Sequence, residues 1–297
     1  MKALQFHSYG GPEVLTVGQA PEPHAGPGQV RIRVRASSVN RVDGKIRAGS
    51  MGQGRPLAGV YLGFDASGVV DEVGEGVTGV LIGDDVFGLG RGTHAELAVL
   101  TAWAAKPASV DWSVAAAAGI ATETAIRGLN LLGVGPGSTV FVDGGAGGVG
   151  AVAVQVAVSR GATVVASAGE DNQGYLREIG AIAIRSGDGL ADRVRAAAPS
   201  GLDGVFDVVG KTPPSVLVSL VADPSRVVTI ANFDAADSGI RLTTGGGDPV
   251  AAMAEAARLL ESNQLVIKVQ TFPLERAAEA FTISESGHLR GKLVLLP

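Results

Sequence analysis

The chain of 297 residues has no cysteine, which excludes disulfides, thiolate metal sites and thiol nucleophiles together. Its four histidines, His7, His24, His94 and His288, are scattered, with none three or four residues from another, so a metal site is not expected. Long apolar runs are also missing: none approaches the about 20 residues a membrane span needs, and the apolar helix 149–160 is interrupted by Gln155. The opening Met1-Lys-Ala-Leu-Gln-Phe-His7 lacks the basic region, apolar core and cleavage site of a secretory signal, so the cytoplasm is the expected compartment. Basic excess is absent too, since the net charge is −5, which argues against nucleic acid as a partner. The acidic residues form no block, and there is no internal repeat or low-complexity segment.

What is present is a globular composition, 46% hydrophobic and 18% charged. The length admits two domains of about 100–200 residues each. Residues 1–121 read as mostly β: Val30-Arg-Ile-Arg-Val-Arg35 alternates apolar and charged residues as a half-buried strand does, and glycine turns punctuate short apolar runs. An alanine-rich helical pattern follows over 115–132. Strands and helices then alternate: strand 139–142, helix 148–160, strand 163–166, helix 171–179, strand 182–184, helix 189–197, strand 204–208, helix 213–221 and strand 226–230. That alternation predicts a parallel sheet covered by helices. Asp248-Pro249 supplies an N-cap and a first-position proline for a further helix. A strand at 265–269, a helix at 273–281 and a strand at 292–296 close the chain, and this tail is expected to return to the N-terminal β domain.

The stretch Thr139-Val-Phe-Val-Asp-Gly-Gly-Ala-Gly-Gly-Val-Gly150 reads as strand, glycine turn and helix start. Gly145 permits the tight turn, Gly147 the approach of a pyrophosphate and Gly150 close packing of helix on strand. The expected phosphate-binding residues are Gly145, Ala146, Gly147, Gly148 and Val149, at a helix N-terminus whose N–H groups and dipole favour an anion. In a chain with 44 glycines, a turn that binds nothing is the alternative.

Several stretches in order along the chain resemble the medium-chain dehydrogenase/reductase superfamily, in its zinc-free quinone oxidoreductase (zeta-crystallin-like) branch. They are Ser38-Val-Asn-Arg-Val-Asp-Gly-Lys-Ile-Arg-Ala-Gly49, Gly63-Phe-Asp-Ala-Ser-Gly68, Gly74-Glu-Gly-Val-Thr78, Gly92-Thr-His-Ala-Glu96, the glycine turn, Phe206-Asp-Val-Val-Gly210 and Ser286-Gly-His-Leu-Arg-Gly-Lys-Leu-Val-Leu295. The resemblance implies an α/β chain with a Rossmann-type coenzyme domain over 122–245 and a β-rich GroES-like catalytic domain from 1–121 and 246–297. It further implies a homodimer. Zinc-dependent members hold the metal with Cys, His and Cys; by motif register those places carry Asn40, Phe64 and Ile120, and neither Phe nor Ile can ligate zinc. Hydride transfer from a nicotinamide needs no metal.

By the same resemblance Asn40 and Asp43 line the nicotinamide pocket, with the Asn40 amide able to bond a substrate carbonyl or a ribose hydroxyl; loop residues satisfying local backbone are the alternative. Tyr61 is a candidate proton donor or an aromatic packed under the loop. Thr124 matches a threonine near the nicotinamide ring, or is a helix hydroxyl bonded back to a carbonyl. Glu123 beside it departs from the apolar residue commoner in the family, and a solvent-facing position is open to it. Val209, Asn232 and Phe233 follow strands whose ends form the ligand crevice, with ordinary loop packing as the alternative. Lys292 matches a closing motif near the cofactor, or is a surface lysine, and His94 is read as structural.

An NAD enzyme would place a carboxylate about 20 residues past the glycine turn to bind the ribose 2′-OH. Ser167-Ala168-Gly169 stands there instead, which favours NADPH without excluding NADH. Arg177 or Arg185 would meet the 2′-phosphate, or either is a solvated surface residue. The reading is an NADPH-dependent, zinc-free reductase of a quinone or α,β-unsaturated carbonyl. Its competitors are an enoyl-thioester reductase, whose phosphopantetheine arm Lys45, Arg47 and Arg55 would admit, and a non-catalytic NADPH-binding protein.

Overall fold

The computed structural model describes residues 1–51, 62–233, 235–287 and 289–297. A short antiparallel ribbon, β1 (Lys2–Gln5) with β2 (Thr16–Gln19), precedes the strand expected from alternation, which is observed as β3 (Val30–Val39). Val30, Ile32 and Val34 enter the core while the intervening arginines turn outward. Each such apolar side chain contributes roughly 1.5–3 kcal/mol on burial, so the alternation fixes which face of β3 is inward.

After β3 come α1 (Arg41–Arg47), β4 (Asp65–Val73), β5 (Asp85–Arg91) and β6 (Leu97–Ala105). Strands β3, β4, β5 and β6 pair antiparallel in succession, and β6 returns to pair with the first residues of β3, closing the four strands on themselves. Register shifts in β3 and β5 bend the strands as closure requires. Val70, Val86, Ala98 and Leu100 complete the core around the β3 side chains.

The alanine-rich pattern becomes α2 (Trp112–Leu132), a helix that runs from one compact unit, Met1–Ile120 with Pro249–Pro297, into the second, Ala121–Asp248. In the second unit β7 (Thr139–Asp143), α3 (Gly148–Ser159), β8 (Thr163–Ala168), α4 (Gln173–Glu178), β9 (Ile182–Arg185), α5 (Leu190–Ala197), β10 (Gly204–Asp207), α6 (Pro214–Val218), β11 (Val227–Thr229) and β12 (Arg241–Leu242) follow in order. All neighbours in its sheet are parallel, in the order β12-β11-β10-β7-β8-β9. The chain winds outward one way from β7 and the other way from β10. The carboxyl ends of these two strands therefore form the topological switch point where open α/β sheets bind ligands.

The tail opens with α7 (Pro249–Glu261) at the expected Asp248-Pro249 signal, then forms β13 (Val269–Pro273), α8 (Ala277–Glu285) and β14 (Lys292–Leu296). β14 lies antiparallel to β3 through Leu293 to Leu295. The strand expected at 265–269 lies later, at Val269–Pro273, because its partner β14 offers pairing only from Lys292 onward. Leu265 and Ile267 are buried and Val266 is exposed, an alternation that imitates a strand without a ladder. Among the described residues no helix is long and apolar enough to cross a membrane.

Candidate functional site

At the switch point the glycine turn begins at Gly144, whose φ of 89° is the left-handed conformation that glycine adopts without strain. Gly145, expected to permit the turn, acts differently, since a Cβ there would lie 2.7 Å from the Ala166 Cβ and its bareness seats the turn on β8. A Cβ at Gly150 would collide with the Gly144 carbonyl oxygen, which is the close helix-on-strand approach predicted for it. At Gly147 a Cβ would meet only the Gly144 oxygen, at 3.6 Å, leaving the approach to the turn open. Gly147, Gly148 and Val149 form the accessible lip, whereas Gly145 and Ala146 are buried. No side chain caps α3, so the backbone N–H groups of its first turn remain available to an anion.

Two carboxylates end the switch-point strands, Asp143 on β7 and Asp207 on β10, side by side in register. Asp143 is buried and accepts the Ser167 hydroxyl at 2.5 Å, while Ser167 in turn accepts the Gly144 N–H at 3.1 Å. Burial pushes the Asp143 pKa up, hydrogen bonds from Ser167 and Thr212 oppose the shift, and Asp207 adds to it. The carboxylate thus braces the turn from within. Ser167, expected at the coenzyme ribose, is fully buried and spends its hydroxyl on this brace, which leaves the strand end without a polar group from that side chain.

Asp207 takes the Val209 and Gly210 N–H groups at 3.0 and 2.8 Å and the Thr229 hydroxyl at 2.7 Å. Thr229 accepts the Ala231 and Asn232 N–H groups at 3.2 and 3.1 Å. One buried pair therefore shapes both loops that carry Val209, Asn232 and Phe233, and Phe233 is exposed. At the other side of β7, Ala168 is buried and the Gln173 amide holds the Ala168 and Ile184 carbonyls at 2.9 and 3.0 Å. Arg185 ends β9 beside Ala168 in register and pairs with Glu170 at 2.9 Å, both exposed. Arg177 is exposed on α4. Thr124 is buried beside an ion pair that the sequence pattern does not reveal, Glu123 with Arg127 at 2.8 Å, and donates to Glu123 at 3.3 Å. Arg127 also reaches Thr243 at 2.6 Å. Glu123, for which a solvent-facing position was open, is inside because this pair holds it there.

In the first unit two of the three places matched to metal ligands, Asn40 and Ile120, converge on one buried carboxylate, which stands next in sequence to the third, Phe64. Asp65 accepts the Asn40 side-chain amide at 2.8 Å and the Ile120 backbone N–H at 2.8 Å, and it follows Phe64 in sequence. Lys292, expected near a cofactor or at the surface, is buried, donating to the Asn40 Oδ1 and to the Val39 carbonyl. Burial pushes the Asp65 pKa up and that of Lys292 down, while each charge draws the other back toward its ionised form. Asp65 has no role in the reading from sequence, although a carboxylate opening a strand whose next residues, Ala66 to Val70, carry no charge is the signal that marks it.

Asp43, expected to line the site, is fully buried, with one oxygen on the Asn40 N–H and the other on the Gly63 N–H, each at 2.8 Å. It shapes the start of α1 by closing a backbone turn, as loop carboxylates do, and the His94 Nε2 lies 3.8 Å from its Oδ2. His94 is buried as expected, its Nδ1 2.5 Å from the Ser37 Oγ. Arg47, considered for a thioester arm, is buried and tied to Glu285 at 2.9 Å. Tyr61 and Arg55 lie outside the described residues.

Two family models match the chain, the alcohol dehydrogenase GroES-like domain over residues 26–111 and the zinc-binding dehydrogenase over 179–295. The second name carries a metal that the matched places do not fit, because an amide, a phenyl ring and an aliphatic chain stand there. Among the described residues no group of three His, Cys, Asp or Glu could hold a metal ion. The chain is 31% identical to the NADPH-dependent alkenal/one oxidoreductase of Arabidopsis thaliana over 314 residues, spanning 100% of this chain and 80% of that protein. It is 32% identical over 313 residues to the spectinabilin polyketide synthase system protein NorB of Streptomyces orinoci, spanning 96% of this chain and 14% of that protein. The solved quinone oxidoreductase of Coxiella burnetii superposes with a TM-score of 0.87 at 29% identity, covering 100% of this chain and 99% of that one. The glycine turn, the closed β unit and these likenesses over nearly the whole of this chain agree: the chain belongs to the medium-chain dehydrogenase/reductase superfamily, among its quinone and alkenal/one oxidoreductases.

Proposed function

We propose that the chain is an NADPH-dependent, zinc-free reductase that passes a hydride to a quinone or an α,β-unsaturated carbonyl, working in the cytoplasm as a homodimer. The observation that carries this reading is an open glycine turn at an uncapped helix start, in a relative of such reductases whose metal places hold Asn40, Phe64 and Ile120. A bound nicotinamide supplies the hydride, and the protein supplies binding and orientation. The lip Gly147–Val149 takes the pyrophosphate, and the loops shaped by Asp207 and Thr229 present Val209, Asn232 and Phe233 to the rest of the coenzyme.

Arg185 is the cation best placed for a 2′-phosphate, because it stands beside the end of β8. Its exposed pair with Glu170 is worth at most about 1 kcal/mol, whereas a charge-assisted phosphate bond contributes about 1.5–3 kcal/mol, so exchanging one for the other favours the phosphate. Glu170, released, remains available to a ribose hydroxyl, which keeps NADH within reach.

The test is oxidation of NADPH and NADH by purified, chelator-treated protein with quinones, 2-alkenals and enoyl thioesters. Turnover undiminished by the chelator is expected, and Arg185→Ala is expected to raise the KM for NADPH about tenfold while leaving that for NADH nearly unchanged. Absence of turnover with every acceptor would sink the enzyme reading. The likeness to a polyketide synthase protein favours enoyl-thioester reduction as the second reading, and a strong preference for thioesters would establish it.

A further inference from the structure

An amide side chain has two N–H donors and an oxygen with two lone pairs. Both donors of Asn40 are occupied, one by Asp65 at 2.8 Å and the other by the Ser38 carbonyl at 3.0 Å. Its oxygen receives the Lys292 ammonium. Flipping the amide would set its NH2 against that ammonium and its oxygen against the Asp65 carboxylate, exchanging two charge-assisted bonds for two repulsions. The orientation is therefore dictated by charge. The Asp43 N–H faces the Asn40 side chain in the α1 capping box but donates to the Asn40 backbone carbonyl at 3.0 Å, so one lone pair remains on the side-chain oxygen. Of these three side chains Asn40 is the partly exposed one, whereas Asp65 and Lys292 are buried, so Asn40 is the member of the cluster open to a ligand.

We propose that Asp65 and Lys292 are positioning residues that hold Asn40 as a pure hydrogen-bond acceptor, so that Asn40 recognises a hydroxyl or amide N–H of the ligand and does not donate to a substrate carbonyl. This sharpens the expectation drawn from sequence, in which either partner was open. It rests on the reading that the chain binds a reduced nicotinamide dinucleotide. Both the dinucleotide and an acceptor in its reduced form carry such donors.

The test uses full-length protein and three variants, with NADPH affinity read by fluorescence titration, the acceptor KM by turnover and folding by thermal denaturation. The exchanged pair N40D/D65N conserves charge, keeps an acceptor at position 40 and removes its donors; it is expected to hold NADPH affinity and acceptor KM within about threefold of wild type. N40L, which has no acceptor, is expected to weaken one of them at least about tenfold. A loss in NADPH affinity places the donor on the dinucleotide, and a loss in acceptor KM places it on the substrate. N40D/D65N losing as much as N40L would overturn the proposal. Where the exchanged pair fails to fold, K292M/D65N removes both buried charges together and frees the amide to flip. It is expected to melt near wild type and yet lose at least about tenfold in the same parameter as N40L, and full retention overturns the proposal. Hydrogen exchange of the Asn40 side-chain amide in ligand-free protein reads the hold directly. Protection of both protons supports it and rapid exchange of either overturns it, while wild type that binds no NADPH indicts the functional reading instead.

Discussion

Asp143 sits one residue from a turn built for phosphate, where a free carboxylate would repel the ligand. The Ser167 hydroxyl and burial resolve this conflict, because both hold the group inside the turn and burial favours its protonated form. With its pKa raised in the folded protein, the folded state binds more protons than the unfolded state from the ordinary value of 3.8 upward to the raised one. Stability therefore falls as pH rises through that window, and the cost is carried in full above it. Asp143→Asn keeps an acceptor for Ser167 and removes the titration. Its melting temperature is expected to exceed wild type by about 2–4 °C at neutral pH, equivalent to roughly 1 kcal/mol, with the gap closing as pH falls toward the ordinary carboxylate range. Calorimetry from pH 4 to 8 checks this, and a gap independent of pH would refute it.

At the level of the strand–turn–helix element, two glycines that look alike in sequence separate into different physical roles. Gly150→Val drives a side chain against the Gly144 carbonyl and is expected to cost about 1–3 kcal/mol or more by forcing α3 off β7. Gly147→Ala makes only an ordinary contact, at 3.6 Å with the Gly144 oxygen, so folding is expected to be retained while NADPH affinity falls several-fold from intrusion at the lip. Melting curves and NADPH titration of the two variants distinguish these outcomes, and equal melting temperatures would contradict the packing account. The turn was legible in the sequence because strand, glycines and helical period are consecutive, and its neighbours β8 to β11 follow the same local logic. The Asp65–Asn40–Lys292 cluster was not, because Asn40 meets Asp65 across 25 residues and Lys292 across 252, and no local pattern encodes such a meeting. Asp43 and Ser167 illustrate the converse: position near a motif was readable, but whether a polar group faces a ligand or the backbone depends on burial. β13 moved because an apolar alternation specifies a face and leaves the choice of partner strand to tertiary pairing.

The two compact units differ in how the chain supplies them. Ala121–Asp248 is continuous, with six parallel strands from one stretch, whereas the other unit joins Met1–Ile120 to Pro249–Pro297. The discontinuous unit depends on β14, which lies between β13 and β3 and buries Leu293, Val294 and Leu295 completely. At roughly 1.5–3 kcal/mol for each of these side chains, the loss would approach the whole stability of about 5–15 kcal/mol typical of a domain. It would also expose the flank of β3 and remove Lys292, leaving Asp65 buried without its cation. A chain ending at Arg290 is therefore expected to lose the order of the β unit while the parallel-sheet unit persists. Limited proteolysis should leave a resistant fragment spanning about residues 121–248 and still able to bind NADPH through the turn at Gly144–Gly150, because that stretch carries its own core of Phe141, Val165, Val205 and Val227. A truncated chain that resisted proteolysis throughout, with wild-type melting, would show that β14 is dispensable and that the β unit is complete without the returning tail.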